Sequence, residues 1–293
     1  KVVEGQKPFQ DYSNFLQALS QPDGYPGTGT GRIKARAKQS AIDNTDPCII
    51  APNARYRGTQ NQLYRVEIHE GGKVGDATFK WSRENSSVVF PLLTPVQVGT
   101  SETVTVTLAH LGWDDRLSLS EKNWVELVDD DHSLQNLAEP LFQVTAIERG
   151  IDFRLTLTRT QKTASTVGQD LTKHPYLRRW DQKGDMAIGG VLKVVEQTND
   201  WTSLEAGIQI QFQPAAQNNQ KKIYRNGDYW LMPARTATGV EWLGSSDNPA
   251  AQLPHGVQHH YAPLAVISVA DGIPTPKYDC RRKLKQNWEN VEQ

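Results

Sequence analysis

A chain of 293 residues can bury one large core or two medium ones, and its formal net charge of -1, from 32 Lys+Arg against 33 Asp+Glu, excludes a strong global pull toward nucleic acid or anionic lipid. No run approaches the roughly 18 to 20 continuous apolar residues of a membrane-spanning helix. The two cysteines, Cys48 and Cys280, are too few for a disulfide framework and lack C-x-x-C spacing.

Lys1-Val2-Val3-Glu4-Gly5 has neither an apolar core nor a small-residue cleavage site, so it does not read as a signal peptide; the chain reads as a fragment of a longer protein. Residues 1–53 form a loop-rich first segment. Phe9, Tyr12, Phe15, Leu16 and Leu19 have helical spacing and predict one short helix. The Pro22-Asp23-Gly24 to Gly27-Thr28-Gly29-Thr30-Gly31 cluster after it predicts a loop.

From Leu63 the punctuation changes. Tyr64-Arg65-Val66-Glu67-Ile68 alternates with period two, meets Gly71-Gly72, and resumes as Ala77-Thr78-Phe79-Lys80-Trp81, which predicts two strands and a turn. Further strands are predicted at 87–90, 103–108, 124–128, 141–148 and 153–158, giving a first β unit over 54–160. The polar stretch 161–172 marks an internal boundary. Beyond it, 190–195, 208–212, 228–231 and 262–269 predict a second β unit over 173–270, although the two could equally be one domain. A tail over 271–293 carries Lys283, Leu284, Trp288 and Val291 on one side of a short helix. The expected fold class is therefore mainly β, with antiparallel sandwich-like or barrel-like units and a few short helices near the ends. Trp81, Trp124 and Trp230 fall inside predicted strands and are assigned to the core.

Several phrases occur together in order: Tyr56-Arg57-Gly58, Asn61-Gln62-Leu63-Tyr64-Arg65-Val66-Glu67-Ile68-His69, Ala77-Thr78-Phe79-Lys80-Trp81-Ser82-Arg83-Glu84-Asn85, Leu177-Arg178-Arg179-Trp180-Asp181, Gly227-Asp228-Tyr229-Trp230-Leu231-Met232-Pro233-Ala234-Arg235-Thr236 and His259-His260-Tyr261-Ala262-Pro263. Over about residues 46–270 the chain resembles an uncharacterised bacterial domain family encoded beside baseplate and tail genes of phage-tail-like contractile injection systems. The resemblance implies an association with such a particle by genomic company. It also implies a further N-terminal region before the part present here, assembly from the bacterial cytoplasm, and residence in a released or membrane-attached particle.

Chemical constellations are sparse. His255, His259 and His260 could supply metal ligands, but Pro254 and Gly256 disfavour the helix that i, i+4 spacing needs, and the two adjacent histidines would point to opposite sides of a strand. Asp129-Asp130-Asp131-His132 and Asp114-Asp115 lack the spacing of a calcium loop and read as solvated acidic turns. Ser82, His69 and Asp76, or Cys48 with any histidine, make a triad only on paper, without a nucleophile elbow. Arg178, Arg179 and Trp180 follow Pro175 in a polar context and read either as an interaction surface or as a structural Arg-aromatic stack. The expectation is a non-enzymatic module without catalytic residues, metal or cofactor, acting by contacts with other proteins of a tail-like particle. The alternatives are a glycan- or cell-surface-binding module and a particle-associated hydrolase. Both cysteines are expected as free thiols.

Overall fold

The computed structural model describes residues 29–37, 56–99, 102–135, 137–160, 165–183, 189–214, 223–255, 264–279 and 281. The predicted terminal helices at 9–19 and 283–291, both cysteines, His259 and His260 lie outside these residues. The chain divides into two compact units, 1–256 and 257–293.

Period-two patterning builds the first unit. β1 (Ile33–Ala37), β6 (Thr103–Leu108) and β14 (Tyr229–Arg235) alternate buried and partly buried residues along their whole lengths, as strands with one face on a core must. Three antiparallel sheets result. The first is β1, β13 (Ile208–Phe212) and β12 (Thr202–Ser203). The second runs β11 (Leu192–Lys193), β3 (Thr78–Ser82), β2 (Gln62–Ile68), β14 and β15 (Gly239–Val240). The third runs β4 (Val89–Pro91), β10 (Tyr176–Trp180), β7 (Trp124–Val128), β8 (Phe142–Arg149), β9 (Phe153–Thr158), β6 and β5 (Gln97–Val98).

The first two sheets form a sandwich. Ile33, Ile210 and Phe212 meet Val66, Phe79 and Trp230 in one apolar cluster, with the Phe212 ring 5.1 Å from Phe79 and 6.0 Å from Trp230. Each such side chain contributes about 1.5 to 3 kcal/mol of transfer free energy on burial. The third sheet curls as a half-barrel, with a bridge from Leu92 to Leu108, around a second cluster that includes Phe90, Val106, Val125, Leu155 and Leu177.

The predicted division at 161–172 does not separate two bodies. β14 pairs with β2 from Tyr229 opposite Glu67 to Ala234 opposite Gln62, and β10 pairs with β7 from Tyr176 opposite Val128 to Trp180 opposite Trp124. β1, from the segment read as loop, completes a sheet with β13. Strands from all three stretches are interleaved, and the break between compact units falls after residue 256.

Among the described residues the one α-helix, α1 (Asp130–Gln135), is mid-chain rather than terminal. Its cause is legible locally. Asp129 accepts from the His132 backbone N–H at 3.0 Å as an N-cap, and Asp130 and Asp131 sit in the first turn, where the helix dipole favours negative charge. No helix among the described residues is long and apolar enough to cross a membrane.

The second unit contains one hairpin, β16 (Ala265–Ala270) and β17 (Ile273–Asp279), turning at Asp271 and Gly272. Ile267 stands opposite Pro276 and Val269 opposite Pro274.

Candidate functional site at the seam between two sheets

Strand periodicity gives each sheet of the first unit a second face. On β2 and β3 the residues that alternate with the sandwich core are Arg65, Glu67 and Lys80; on β7 and β10 those that alternate with the half-barrel core are Glu126, Arg178 and Trp180. Glu67 is directly opposite Lys80, and Arg178 directly opposite Glu126. These two charged cross-strand pairs face each other, and the seam between the sheets buries them: Glu67, Lys80, Glu126 and Trp180 are all under 7 % exposed.

Burial of three ionisable groups, Glu67, Lys80 and Glu126, is tolerable only if each is answered. Lys80 Nζ lies 2.5 Å from Glu126 Oε1 and 3.4 Å from Glu67 Oε1, and 4.4 Å over the Trp180 ring. The Trp180 indole N–H donates to Glu126 Oε2 at 3.0 Å, and Arg178 stands 3.8 Å from the same oxygen. Arg65 holds Glu67 Oε2 at 2.5 Å while its guanidinium lies 3.7 Å over Tyr229, whose other neighbour is the His255 ring at 6.1 Å. Burial pushes the Glu126 carboxyl up, but Lys80, Arg178 and His69 outweigh it and hold the group at about 2.

His69, just past β2, is 2 % exposed. Burial, then the Lys80 charge, pushes its imidazole down to about 3, so it is neutral at pH 7. Its Nδ1 and the Nε of Arg178 are buried without a hydrogen-bond partner. Both residues line a cavity of about 220 Å³ together with Arg65, Lys80, Glu126 and the exposed Ser133 of α1. A wider concavity of about 610 Å³ is lined mainly by exposed residues such as Gln60, Asn61, Asp114 and Asp115. The smaller one holds the buried ionisable groups.

The residues singled out in the sequence are distributed as follows. Arg179 and Trp180 are buried at 4 % and 1 % exposure, so the triplet with Arg178 is not an exposed recognition surface. The polar context is met by interior partners, because Arg179 Nη1 donates to the Ser118 carbonyl at 2.6 Å and its Nη2 lies 3.2 Å from Asp181. Ser82 Oγ accepts from the Glu84 and Ser86 backbone N–H groups as a turn residue, while Asp76 is exposed. Asp130 is answered by His174 at 2.8 Å, Asp131 by Lys173 at 2.7 Å, and Asp114 caps the backbone of Arg116 and Leu117. The acidic runs thus disperse into single contacts, and among the described residues no group of three or more His, Cys, Asp or Glu could hold a metal ion. His255 donates its backbone N–H to the Tyr229 carbonyl at 2.6 Å. Trp81, Trp124 and Trp230 are core residues as expected, at 4 %, 8 % and 0 % exposure.

The seam was invisible as a site because its partners lie 46 to 54 positions apart in the chain. A family described as "Family of unknown function (DUF6519)" matches residues 28–282. No curated protein and no solved structure matches the chain.

Proposed function

We propose that this chain, which belongs to that family of unknown function, is a non-enzymatic module of a phage-tail-like contractile injection particle and docks into it through the β16–β17 hairpin. The observation that carries the docking is the hairpin's exposure. Ile267 and Val269 are 40 % and 63 % exposed and share one face of the two-stranded sheet with Pro276 and Pro274 opposite them. An isolated hairpin is marginal in water, and clustered apolar side chains of this kind gain stability when another protein covers them. Pro274 and Pro276 remove two backbone donors from β17, so strand addition there is interrupted and the apolar face becomes the docking surface. The particle itself is supported by the resemblance of the ordered sequence phrases given above.

The test is co-purification of the full-length protein with intact particles, wild type against Ile267→Asp/Val269→Asp. Both proteins should melt alike, since the substituted side chains are solvent-facing, and only the wild type should travel with the particle. Equal co-purification removes the hairpin as the dock; failure of the wild type to associate removes the particle.

A surface-glycan role would rest on Trp113, which is 94 % exposed and stacked on His110 at 6.4 Å. Saturable glycan binding abolished by Trp113→Ala would favour it.

A further inference from the structure

We propose that the open concavity beside Trp113 is a saccharide-binding site that prefers a sugar carrying a free amino group. The inference rests on the glycan reading of Trp113 and adds the chemical class of the ligand. The site assembles from strand ends of two sheets. Gln60 and Asn61 lead into β2, Glu84 follows β3, and Asp114, Asp115 and Arg116 belong to the loop after β6; together they line a space of about 610 Å³. That volume lies within the roughly 300 to 1,000 Å³ of small-ligand sites. The lining side chains are polar and mostly exposed, so the space suits a hydroxyl-rich ring rather than an apolar ligand.

The loop is fixed before any ligand arrives. Leu111 and Leu119 are buried at its base, where the Leu119 N–H donates to the Leu111 carbonyl at 2.7 Å. Asp114 Oδ1 accepts from the backbone N–H groups of Arg116 at 2.9 Å and Leu117 at 2.7 Å, and the Arg116 guanidinium pairs with Glu84. Gly112 has φ of +111°, and a Cβ there would lie 2.6 Å from the Ser118 Cα, so only glycine lets the two arms of the loop approach. At the tip the Trp113 ring stacks on His110 at 6.4 Å, and His110 packs on the buried Phe90 ring at 5.9 Å. A Trp braced by a column of rings yet left in solvent is a rigid apolar plate, on which the C–H face of a sugar packs at small entropic cost.

Polar groups beside the plate select the ligand. Gln60 and Asp115 are exposed and have no hydrogen-bond or ion-pair partner among the described residues. An amide that both donates and accepts, next to a carboxylate that accepts, matches the hydroxyls of a sugar ring. Charge then decides between sugars. The lining sets three carboxylates, Glu84, Asp114 and Asp115, against one guanidinium, and Glu84 already answers that guanidinium. Two carboxylates therefore face solvent without a cation. An acidic sugar is repelled, a neutral one is tolerated, and an ammonium on the ring gains the attraction of Asp115.

The probes are equal-length oligomers of glucosamine, N-acetylglucosamine and galacturonic acid, titrated into the full chain at mildly acidic pH, where the sugar amine is charged. Calorimetry and the Trp113 indole N–H resonance follow binding. The glucosamine oligomer should saturate with a dissociation constant on the order of 1 mM, the N-acetyl oligomer should bind about three- to fivefold more weakly, and the acidic oligomer should not saturate. Trp113→Ala should weaken the first two at least about tenfold, and Asp115→Asn should bring their constants within about twofold of each other. Both side chains are exposed, so both variants should melt as wild type does. Equal wild-type constants for the first two oligomers, preference for the acidic one, or a gap left intact in Asp115→Asn would overturn the amino-sugar inference and leave the glycan reading standing. Saturable binding of none of the three, or unchanged constants in Trp113→Ala, would overturn both.

Discussion

The ammonium of Lys80 on β3 lies 2.5 Å from a carboxylate oxygen of Glu126 on β7, tying the polar face of the five-stranded sheet to that of the seven-stranded one. Removing the cation leaves two buried carboxylates facing each other with no charge between them. Lys80→Met should lower the unfolding free energy by about 3 to 5 kcal/mol, and adding Glu126→Gln should recover part of that loss. Urea unfolding of the two variants against wild type measures both effects. A Lys80→Met protein as stable as wild type would show that the seam is hydrated and the ion pair adds little.

Trp180 gives a separate handle on the same seam. Trp180→Phe keeps the ring over Lys80 but removes the N–H that Glu126 Oε2 accepts at 3.0 Å. It should cost about 1 to 3 kcal/mol, in contrast to the near-zero effect of changing an exposed recognition residue. The same urea midpoints report it.

A pH experiment isolates His69. Its folded-state value of about 3 lies below the ordinary 6.5, so between those limits the unfolded chain binds the extra proton. Stability from this group is complete above pH 6.5 and falls as pH drops toward 3. Glu126, held near 2 rather than 4.5, acts in the same direction lower down. Asp228 opposes both: burial raises it to about 6, so its protonated form stabilises the fold as pH falls through that value. Comparing wild type with His69→Gln cancels the common groups. The stability difference between the two should change by about 2 kcal/mol from pH 7 to pH 5, against wild type at the lower pH. A pH-independent difference would place His69 in contact with water.

Backbone geometry supplies a fourth prediction. Gly190 has φ of +81°, and a Cβ there would lie 2.4 Å from the Trp124 ring and 3.0 Å from Leu141. Gly190→Ala combines left-handed strain with overpacking beside Trp124 and should cost about 2 to 4 kcal/mol. Thermal unfolding compared with Gly75→Ala, where a Cβ meets nothing within 4 Å, separates the packing part from the strain.

The strands themselves were largely legible, because Tyr64-Arg65-Val66-Glu67-Ile68 and Thr103-Val104-Thr105-Val106-Thr107-Leu108 show the alternation that a half-buried strand imposes. That alternation displays one apolar and one polar face. It does not reveal that a second sheet covers the polar one, which is why Arg178, Arg179 and Trp180 read equally as an interaction surface or as a structural Arg-aromatic stack and the pairing of Lys80 with Glu126 is not legible. Likewise Asp129-Asp130-Asp131 reads as a turn until His132 is seen to complete a cap. The boundary at 161–172 was inferred from local polarity, whereas β14 returning to β2 is a pairing between residues more than 150 positions apart. Periodicity carries local geometry; sheet order depends on distant pairings that no window of sequence contains.

The assembly reading is tested most directly by amide hydrogen exchange across Ala265–Ala270 and Ile273–Asp279, measured in the free full-length protein and in purified particles that contain it. A two-stranded hairpin with uncovered apolar side chains should open readily when free and exchange within seconds to minutes, then become strongly protected on docking, while β2 and β14 in the first unit stay protected in both states. Equal exchange of the hairpin in the free and particle-bound protein would contradict the account.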